Sequence, residues 1–82
     1  MSKLKHIKNL KVGDIVMNEY DELAEITEIE EPGLFRCVNA REEPNVIDIR
    51  ELERSKDPDE NKIEIFNRKE FERAQEDNES DW

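Results

Sequence analysis

The chain has 82 residues, of which 44 % are charged and only 34 % hydrophobic, against about 45–50 % apolar residues in ordinary globular domains. Its 23 acidic and 13 basic side chains give a formal charge of -10 at pH 7. No apolar run approaches the ~20 residues of a membrane span, and no apolar signal segment follows Met1. A chain this small also leaves little room for a deep substrate cleft. Cys37 has no second cysteine to pair with. We therefore expect one small cytoplasmic domain in a reducing compartment.

The N-terminal residues 1–9 are predicted to be a basic leader. Residues 7–14 predict one helical or irregular turn that leads into the first strand, which continues over 15–17. Gly13 and Asp14 mark a bend just before residues 15–17, because glycine permits positive φ and aspartate can bond its own backbone. The polar segment 18–22 then predicts a hairpin loop.

Residues 23–30 predict the second strand, because Ala-Glu-Ile-Thr alternates apolar and polar side chains. Ile29 follows Ile26 by three positions, so a bulge between them is needed to keep both on one face. The same spacing would suit a helix, but the β-branched residues and the Pro-Gly turn at 31–33 favour a strand. Residues 34–39 are its predicted hairpin partner.

The second half of the chain predicts two more strands and a helix. A loop over 40–45 leads to a strand over 46–49, after which a tight turn returns Leu52 to the core. A polar linker over 55–61 then precedes a strand over 62–66. A short C-terminal helix over 67–77, capped by Asn67 and Glu70, is followed by a disordered acidic tail over 78–82. The side chains expected in the core are Leu10, Val12, Val16, Ala24, Ile26, Ile29, Phe35, Cys37, Ile47, Ile49, Leu52, Ile63 and Ile65.

Two segments carry a resemblance to a known fold. Residues 10–16, Leu-Lys-Val-Gly-Asp-Ile-Val, resemble the opening strand of SH3-like barrels of the KOW and Tudor kind. Residues 47–52, Ile-Asp-Ile-Arg-Glu-Leu, are similar to the closing strand and turn of the same barrels. The resemblance extends to short accessory proteins of bacteriophages and other mobile elements. It implies a mainly β protein with a small SH3-like five-stranded barrel over 10–66 and a short C-terminal helix.

The chain offers few residues for catalysis or metal binding. His6 and Cys37 are its only soft metal ligands, and one of each cannot complete a tetrahedral zinc site. Residues 57–61 begin like a calcium loop, but Lys62 stands where glycine is needed and Arg68 where a bidentate glutamate is needed. With two glycines, the chain has no phosphate-binding loop. We predict no enzyme activity, no cofactor and no metal site.

The negative charge is concentrated in the middle of the chain. Residues 1–18 carry +3, residues 19–60 carry -10, and residues 61–82 carry -3. Such an acidic body repels a phosphate backbone, which disfavours direct nucleic-acid binding. We therefore expect a non-enzymatic module, a monomer or weak homodimer, whose acidic surface docks on a protein partner with a basic surface.

The acidic surface is predicted to lie on strands. Its partner-facing residues are Glu25, Glu28, Glu30, Asp48 and Glu51. Alternate positions on a strand are spaced ~6–7 Å apart, close to the spacing of phosphates, so one form of this hypothesis is a nucleic-acid mimic that inhibits a host nuclease or defence protein. The alternative is a KOW/Tudor-like nucleic-acid-associated module that binds through its lysine-rich N-terminus.

Overall fold

The structure is a computed structural model that describes residues 3–80, with side chains up to residue 76. The fold is mainly β: a six-stranded antiparallel open sheet with a short C-terminal helix. Its elements are β1 (Lys3–His6), β2 (Ile15–Met17), β3 (Leu23–Glu31), β4 (Leu34–Asn39), β5 (Pro44–Asp48), α1 (Arg50–Glu53), β6 (Lys62–Phe66) and α2 (Arg68–Ser80), with a 3₁₀ turn at Ile7–Asn9. The strand order β1-β6-β2-β3-β4-β5 leaves β1 and β5 at the two edges.

The sheet has six strands because residues 3–6, expected to belong to a basic leader, form β1. Lys3 lies opposite Ile65 and His6 opposite Lys62, so β1 is held by backbone pairing with β6. This strand has no alternating apolar pattern from which it could be predicted, and its Leu4 is exposed.

The first predicted strand is observed as β2, at Ile15–Met17, after the 3₁₀ turn at Ile7–Asn9, so the turn predicted before it is confirmed. Residues 10–14, which the resemblance includes in the opening strand, lie before β2. The Asp14 carboxylate accepts hydrogen bonds from the Lys11 backbone N–H (2.9 Å) and from Lys5 Nζ (3.0 Å). These bonds hold residues 11–14 in a turn, with Gly13 at φ 99°. Val12, expected in the core, lies in this turn and is 62 % exposed, so that prediction is wrong.

The core lies on one face of the sheet. On this face Val16 lies opposite Ala24, and Ile26 lies opposite Cys37. The buried side chains of the core are Ile7, Leu10, Val16, Ala24, Ile26, Phe35, Cys37 and Ile47, with Ile29, Ile49, Ile63 and Ile65 packed against them. Leu52 was expected there but is 37 % exposed, because it lies on the single turn of α1 beyond the edge strand.

The predicted bulge in the second strand is confirmed. The pairing of β3 with β4 shifts between Ile26 and Glu28, so that Ile26 lies opposite Cys37 and Ile29 opposite Phe35. Both isoleucines therefore contact the core. A second shift, between Ile29 and Glu31, follows before the turn into β4.

The C-terminal helix covers part of the opposite sheet face. Ile15 and Phe71 are buried but lie outside the main core cluster. Ile15 is paired with Glu25, and Arg68 of α2 contacts that glutamate at 3.0 Å, which places the helix over this face.

The start of α2 is capped as predicted. Asn67 Oδ1 accepts from the Glu70 N–H at 2.9 Å, and Glu70 Oε2 accepts from the Asn67 N–H at 3.2 Å. The helix, expected to end at residue 77, continues to Ser80 and so takes in residues expected in the acidic tail. Residues 81 and 82 of that predicted tail lie outside the described residues. Over the residues that are described, no helix has the length and apolar character needed to cross a membrane.

Candidate functional site

Three of the chain's own arginines lie among the carboxylates predicted to face a partner. Arg36 on β4 contacts two of them, Glu30 at 2.9 Å and Glu28 at 3.4 Å. The pairing follows from the bulge, which places Glu28 directly opposite Arg36. Hydrogen bonding and the charge of Glu30 raise the pKa of the Arg36 guanidinium. Part of the negative charge on β3 is therefore compensated within the sheet.

Arg50 compensates the other end of the predicted acidic face. Its Nε and Nη2 donate to the two carboxylate oxygens of Asp48 at 2.9 and 2.8 Å, and its Nη1 lies 3.6 Å from Glu31. The hydrogen bonds from Arg50 lower the pKa of Asp48 to about 2. The contact thus joins the end of β3 to the end of β5 across the turn at Gly33.

The last two predicted residues differ in their surroundings. Glu25 contacts Arg68 of α2 at 3.0 Å and is half-buried. Glu51 is exposed on α1 and, within residues 3–76, makes no ion pair. The structure therefore brings Glu28 and Glu30 together at one arginine and leaves the other three at separate places on the sheet and on α1.

Two hairpin loops at one end of the sheet are built alike, and we call residues 18–22 and 39–43 the loop pair. Each begins with a buried asparagine and ends with a glutamate. Asn18 Oδ1 accepts from the backbone N–H of Glu22 at 2.9 Å, and Asn39 Oδ1 accepts from that of Glu43 at 2.9 Å.

The backbone of the two loops matches as well. The fourth residue of each has positive φ, 60° at Asp21 and 63° at Glu42. Because β2–β3 and β4–β5 are alternate hairpins of one antiparallel sheet, both loops lie at the same end. Asparagine favours such turns because its side-chain oxygen can bond backbone N–H groups a few residues on.

The two loops are held against each other. Asn39 Nδ2 donates to Glu22 Oε1 in the first loop at 3.4 Å and to Glu43 Oε1 in its own loop at 3.0 Å. Arg41 forms ion pairs with the same two glutamates. Between the loops lies an open cleft of about 420 Å³, lined in part by the exposed ring of Tyr20.

The loop pair is acidic and, unlike the predicted strand face, mostly uncompensated. It contains five carboxylates and one arginine. Glu19, Asp21 and Glu42 are exposed and make no ion pair with any side chain of residues 3–76. Sequence reasoning did not find this surface, although the pattern Asn-x-x-acid-Glu occurs at both 18–22 and 39–43 and could have indicated paired turns.

The lysines of the alternative hypothesis are partly engaged within the fold. Lys5 contacts Asp14 at 3.0 Å, and Lys8 contacts Glu53 at 3.5 Å. Lys3 and Lys11 are exposed. Half of the four N-terminal lysines thus face carboxylates of the same chain, which reduces the positive charge available to a phosphate backbone.

His6 and Cys37 are the two soft metal ligands of the chain. Cys37 is buried in β4, its Sγ is 3.6 Å from the Asn45 carbonyl oxygen, and burial raises the pKa of the thiol, which disfavours the reactive thiolate. Among the side chains of residues 3–76, no group of three or more histidine, cysteine or acidic residues is placed to hold a metal ion. Comparison of the chain with protein-family models, with curated proteins and with solved structures gave no match.

Proposed function

We propose that the protein is a non-enzymatic binding module whose acidic loop pair docks on a basic protein surface. The observation that carries this proposal is the exposed set of Glu19, Asp21 and Glu42, held in two hydrogen-bonded turns around Tyr20, which is 65 % exposed. Ordered turns reduce the entropy lost on binding. Uncompensated carboxylates attract a positive partner, and a tyrosine provides a contact that is partly apolar.

The predicted strand face supports this function less directly than the loop pair does. Glu25, Glu28, Glu30 and Asp48 already face arginines, so a basic partner would have to compete with existing ion pairs. Glu51 is exposed and can add to the attraction. A nucleic-acid mimic needs closely spaced, uncompensated charges, so we favour an acidic docking module over a mimic of nucleic acid.

We also propose that the sheet is an SH3-like barrel of five strands with β1 added outside it. Support comes from the order β6-β2-β3-β4-β5, in which four consecutive strands form a meander and the fifth returns to pair with the first of them. The single turn α1 lies between β5 and β6, as the resemblance of residues 47–52 implies. Such a framework would hold both hairpin loops at one end.

The function can be tested with two variants of equal charge change. The loop variant combines Glu19→Gln, Asp21→Asn and Glu42→Gln, and the control variant combines Glu28→Gln, Glu30→Gln and Glu51→Gln. Asparagine is suited to the positive φ at position 21. The probe is a fluorescent oligoarginine peptide, whose binding is followed by anisotropy. We expect the loop variant to lower its affinity about tenfold and the control variant about threefold or less.

Three outcomes would count against this function. Equal losses in the two variants would mean that binding follows net charge and not the loop pair. Salt-sensitive binding of labelled duplex or single-stranded DNA to the wild-type chain would favour the alternative, a nucleic-acid-associated module with a lysine-rich N-terminus. Displacement of duplex DNA from a basic nuclease would instead identify a nucleic-acid mimic.

A further inference from the structure

We propose that β5 is a docking strand, to which an extended basic segment of the partner adds as a further strand of the sheet. The inference rests on the proposed function and says how the basic partner is held. In this mode of recognition, backbone hydrogen bonds supply affinity, and pockets for alternate side chains supply specificity.

The register of β5 determines which of its backbone groups are free. The Glu43 carbonyl accepts from β4 at 3.1 Å, and the Ile49 N–H donates to the turn before β4 at 2.7 Å. In an antiparallel pair, alternate residues bond to the neighbouring strand. The intervening residues Pro44, Val46 and Asp48 therefore direct their backbone groups away from the sheet. Val46 and Asp48 offer N–H donors there, whereas Pro44 offers only its carbonyl.

The two edges of the sheet are protected differently. Edge strands are commonly guarded by lysine, whose charge prevents pairing with another chain. The β1 edge carries Lys3 and Lys5 within four residues. The β5 edge has no lysine or arginine, and its central Val46 is 54 % exposed. Its proline stands at the first position, where it protects one end only. Of the two edges, β5 is the one open to a further strand.

Two depressions lie near the open edge. One, of about 340 Å³, lies on the outer sheet face beside Val38 and Val46. The other, of about 380 Å³, lies at the far end of β5 beside Ile49 and Leu52. Alternate side chains of a strand point to the same face, so alternate apolar residues of an added strand can reach the depression on the outer face.

The negative charges near β5 favour a basic segment as the added strand. The strand begins directly after the acidic loop pair and ends at Asp48, whose charge Arg50 compensates, with the exposed Glu51 beyond it. An added segment would thus lie between the acidic loop pair and Glu51. A second copy of this chain fits less well, because each copy carries a formal charge of -10. Pairing two β5 strands about Val46 would also set each Pro44, which lacks an N–H, opposite the other copy's Asp48.

The first test compares two peptides of about seven residues, a common strand length. One alternates lysine and valine; the other has the same sequence with every backbone nitrogen methylated, so that neither of its edges can donate to a neighbouring strand. We expect the unmethylated peptide to bind about tenfold more tightly. It should also slow hydrogen exchange at the Val46 and Asp48 amides, because these N–H groups would then donate to the peptide.

A pair of variants isolates the edge donor. Val46→Pro removes the outward N–H without removing a bond to β4, and Val46→Ala keeps that N–H while shortening the side chain. We expect Val46→Pro to weaken the unmethylated peptide about tenfold more than Val46→Ala does, and to leave the methylated peptide unchanged. If Val46→Pro does not fold, the two peptides on the wild-type chain still decide the question.

The outcomes separate this inference from the proposed function. Equal affinity of both peptides, each weakened by the loop variant, would overturn the docking strand and leave acidic docking in place. Peptide-induced slowing of hydrogen exchange at β1 amides instead of β5 amides would overturn it. It would also be overturned if, without peptide, exchange at the Val46 amide slowed as the protein concentration rose, because β5 would then pair with a second copy. If the loop variant changes the binding of neither peptide, the proposed function itself fails.

Discussion

Asn39 joins two loops that are distant in sequence, through a 3.4 Å hydrogen bond from its Nδ2 to Glu22 Oε1. Its Oδ1 accepts from the backbone N–H groups of Arg41 and Glu43, each at 2.9 Å. The side chain is only 2 % exposed. One buried amide therefore shapes the second loop and aligns it with the first, which sets the geometry of the proposed docking surface.

Replacing Asn39 tests this role directly. We expect Asn39→Ala to lower the free energy of unfolding by about 1–3 kcal/mol, because it leaves two partly buried backbone donors without their acceptor. Urea denaturation followed by circular dichroism measures the change. The control is Asn9→Ala, at an exposed position in the 3₁₀ turn, which should change stability by less than about 0.5 kcal/mol. Similar losses in both variants would show that Asn39 has no special role.

The two glycines offer a matched comparison of backbone strain and steric overlap. Both have positive φ, 99° at Gly13 and 92° at Gly33. A Cβ at Gly13 would meet nothing within 4 Å, whereas one at Gly33 would lie 2.8 Å from Arg50 Cα. We expect Gly13→Ala to cost about 1–2 kcal/mol and Gly33→Ala at least ~1 kcal/mol more, as measured by urea denaturation. Equal costs would mean that the turn into β4 moves freely away from Arg50.

Asn61 holds the end of α1 and the loop that follows it. Its Nδ2 lies 2.9 Å from the Leu52 and Glu53 carbonyl oxygens and 3.0 Å from that of Ser55. We expect Asn61→Ala to lower the free energy of unfolding by about 1–3 kcal/mol, because these carbonyls lose a buried donor. Asn61→Asp, which sets a carboxylate against the same carbonyls, should cost at least as much. A milder effect of aspartate than of alanine in thermal unfolding would contradict this account.

The ion pair of Asp48 and Arg50 predicts a dependence on pH. The pKa of Asp48 is lowered from 3.8 to about 2 by the hydrogen bonds from Arg50. A carboxylate with a depressed pKa in the folded state contributes stability that is fully present above its unfolded pKa, near 4. That stability is lost as the pH falls from about 4 to about 2.

Carboxyl carbon NMR titration checks this prediction. In the wild-type chain, the Asp48 signal should titrate near pH 2. In Arg50→Gln, which removes both guanidinium donors, its pKa should return toward the ordinary value of 3.8. The stability of this variant should also fall less between pH 4 and pH 2 than that of the wild-type chain. An Asp48 pKa that is the same in both chains would refute the assigned cause.

The features that could be predicted are those that depend on residues close together in sequence. The alternation at Ala24 and Ile26 predicts β3, and the spacing from Ile26 to Ile29 predicts its bulge. Asn67 and Glu70, three residues apart, predict the capped start of α2. Each signal depends on side chains that meet within one strand or one helical turn, so no knowledge of the rest of the fold is needed.

The features that could not be predicted depend on pairing between distant segments. Strand β1 exists because its backbone bonds to β6, and backbone bonding leaves no apolar pattern in Lys3-Leu4-Lys5-His6. The coupling of Asn39 to Glu22 likewise requires that two hairpins lie side by side.

The formal charge of -10 and its concentration in residues 19–60 were determined by the sequence alone. Which of these carboxylates are compensated was decided only by the tertiary structure. Glu25 meets Arg68, which is 43 residues away, whereas Glu19, Asp21 and Glu42 are held in tight turns that point into solvent. The physical reason is that an ion pair requires contact within about 4 Å, and only the folded sheet brings distant charges that close.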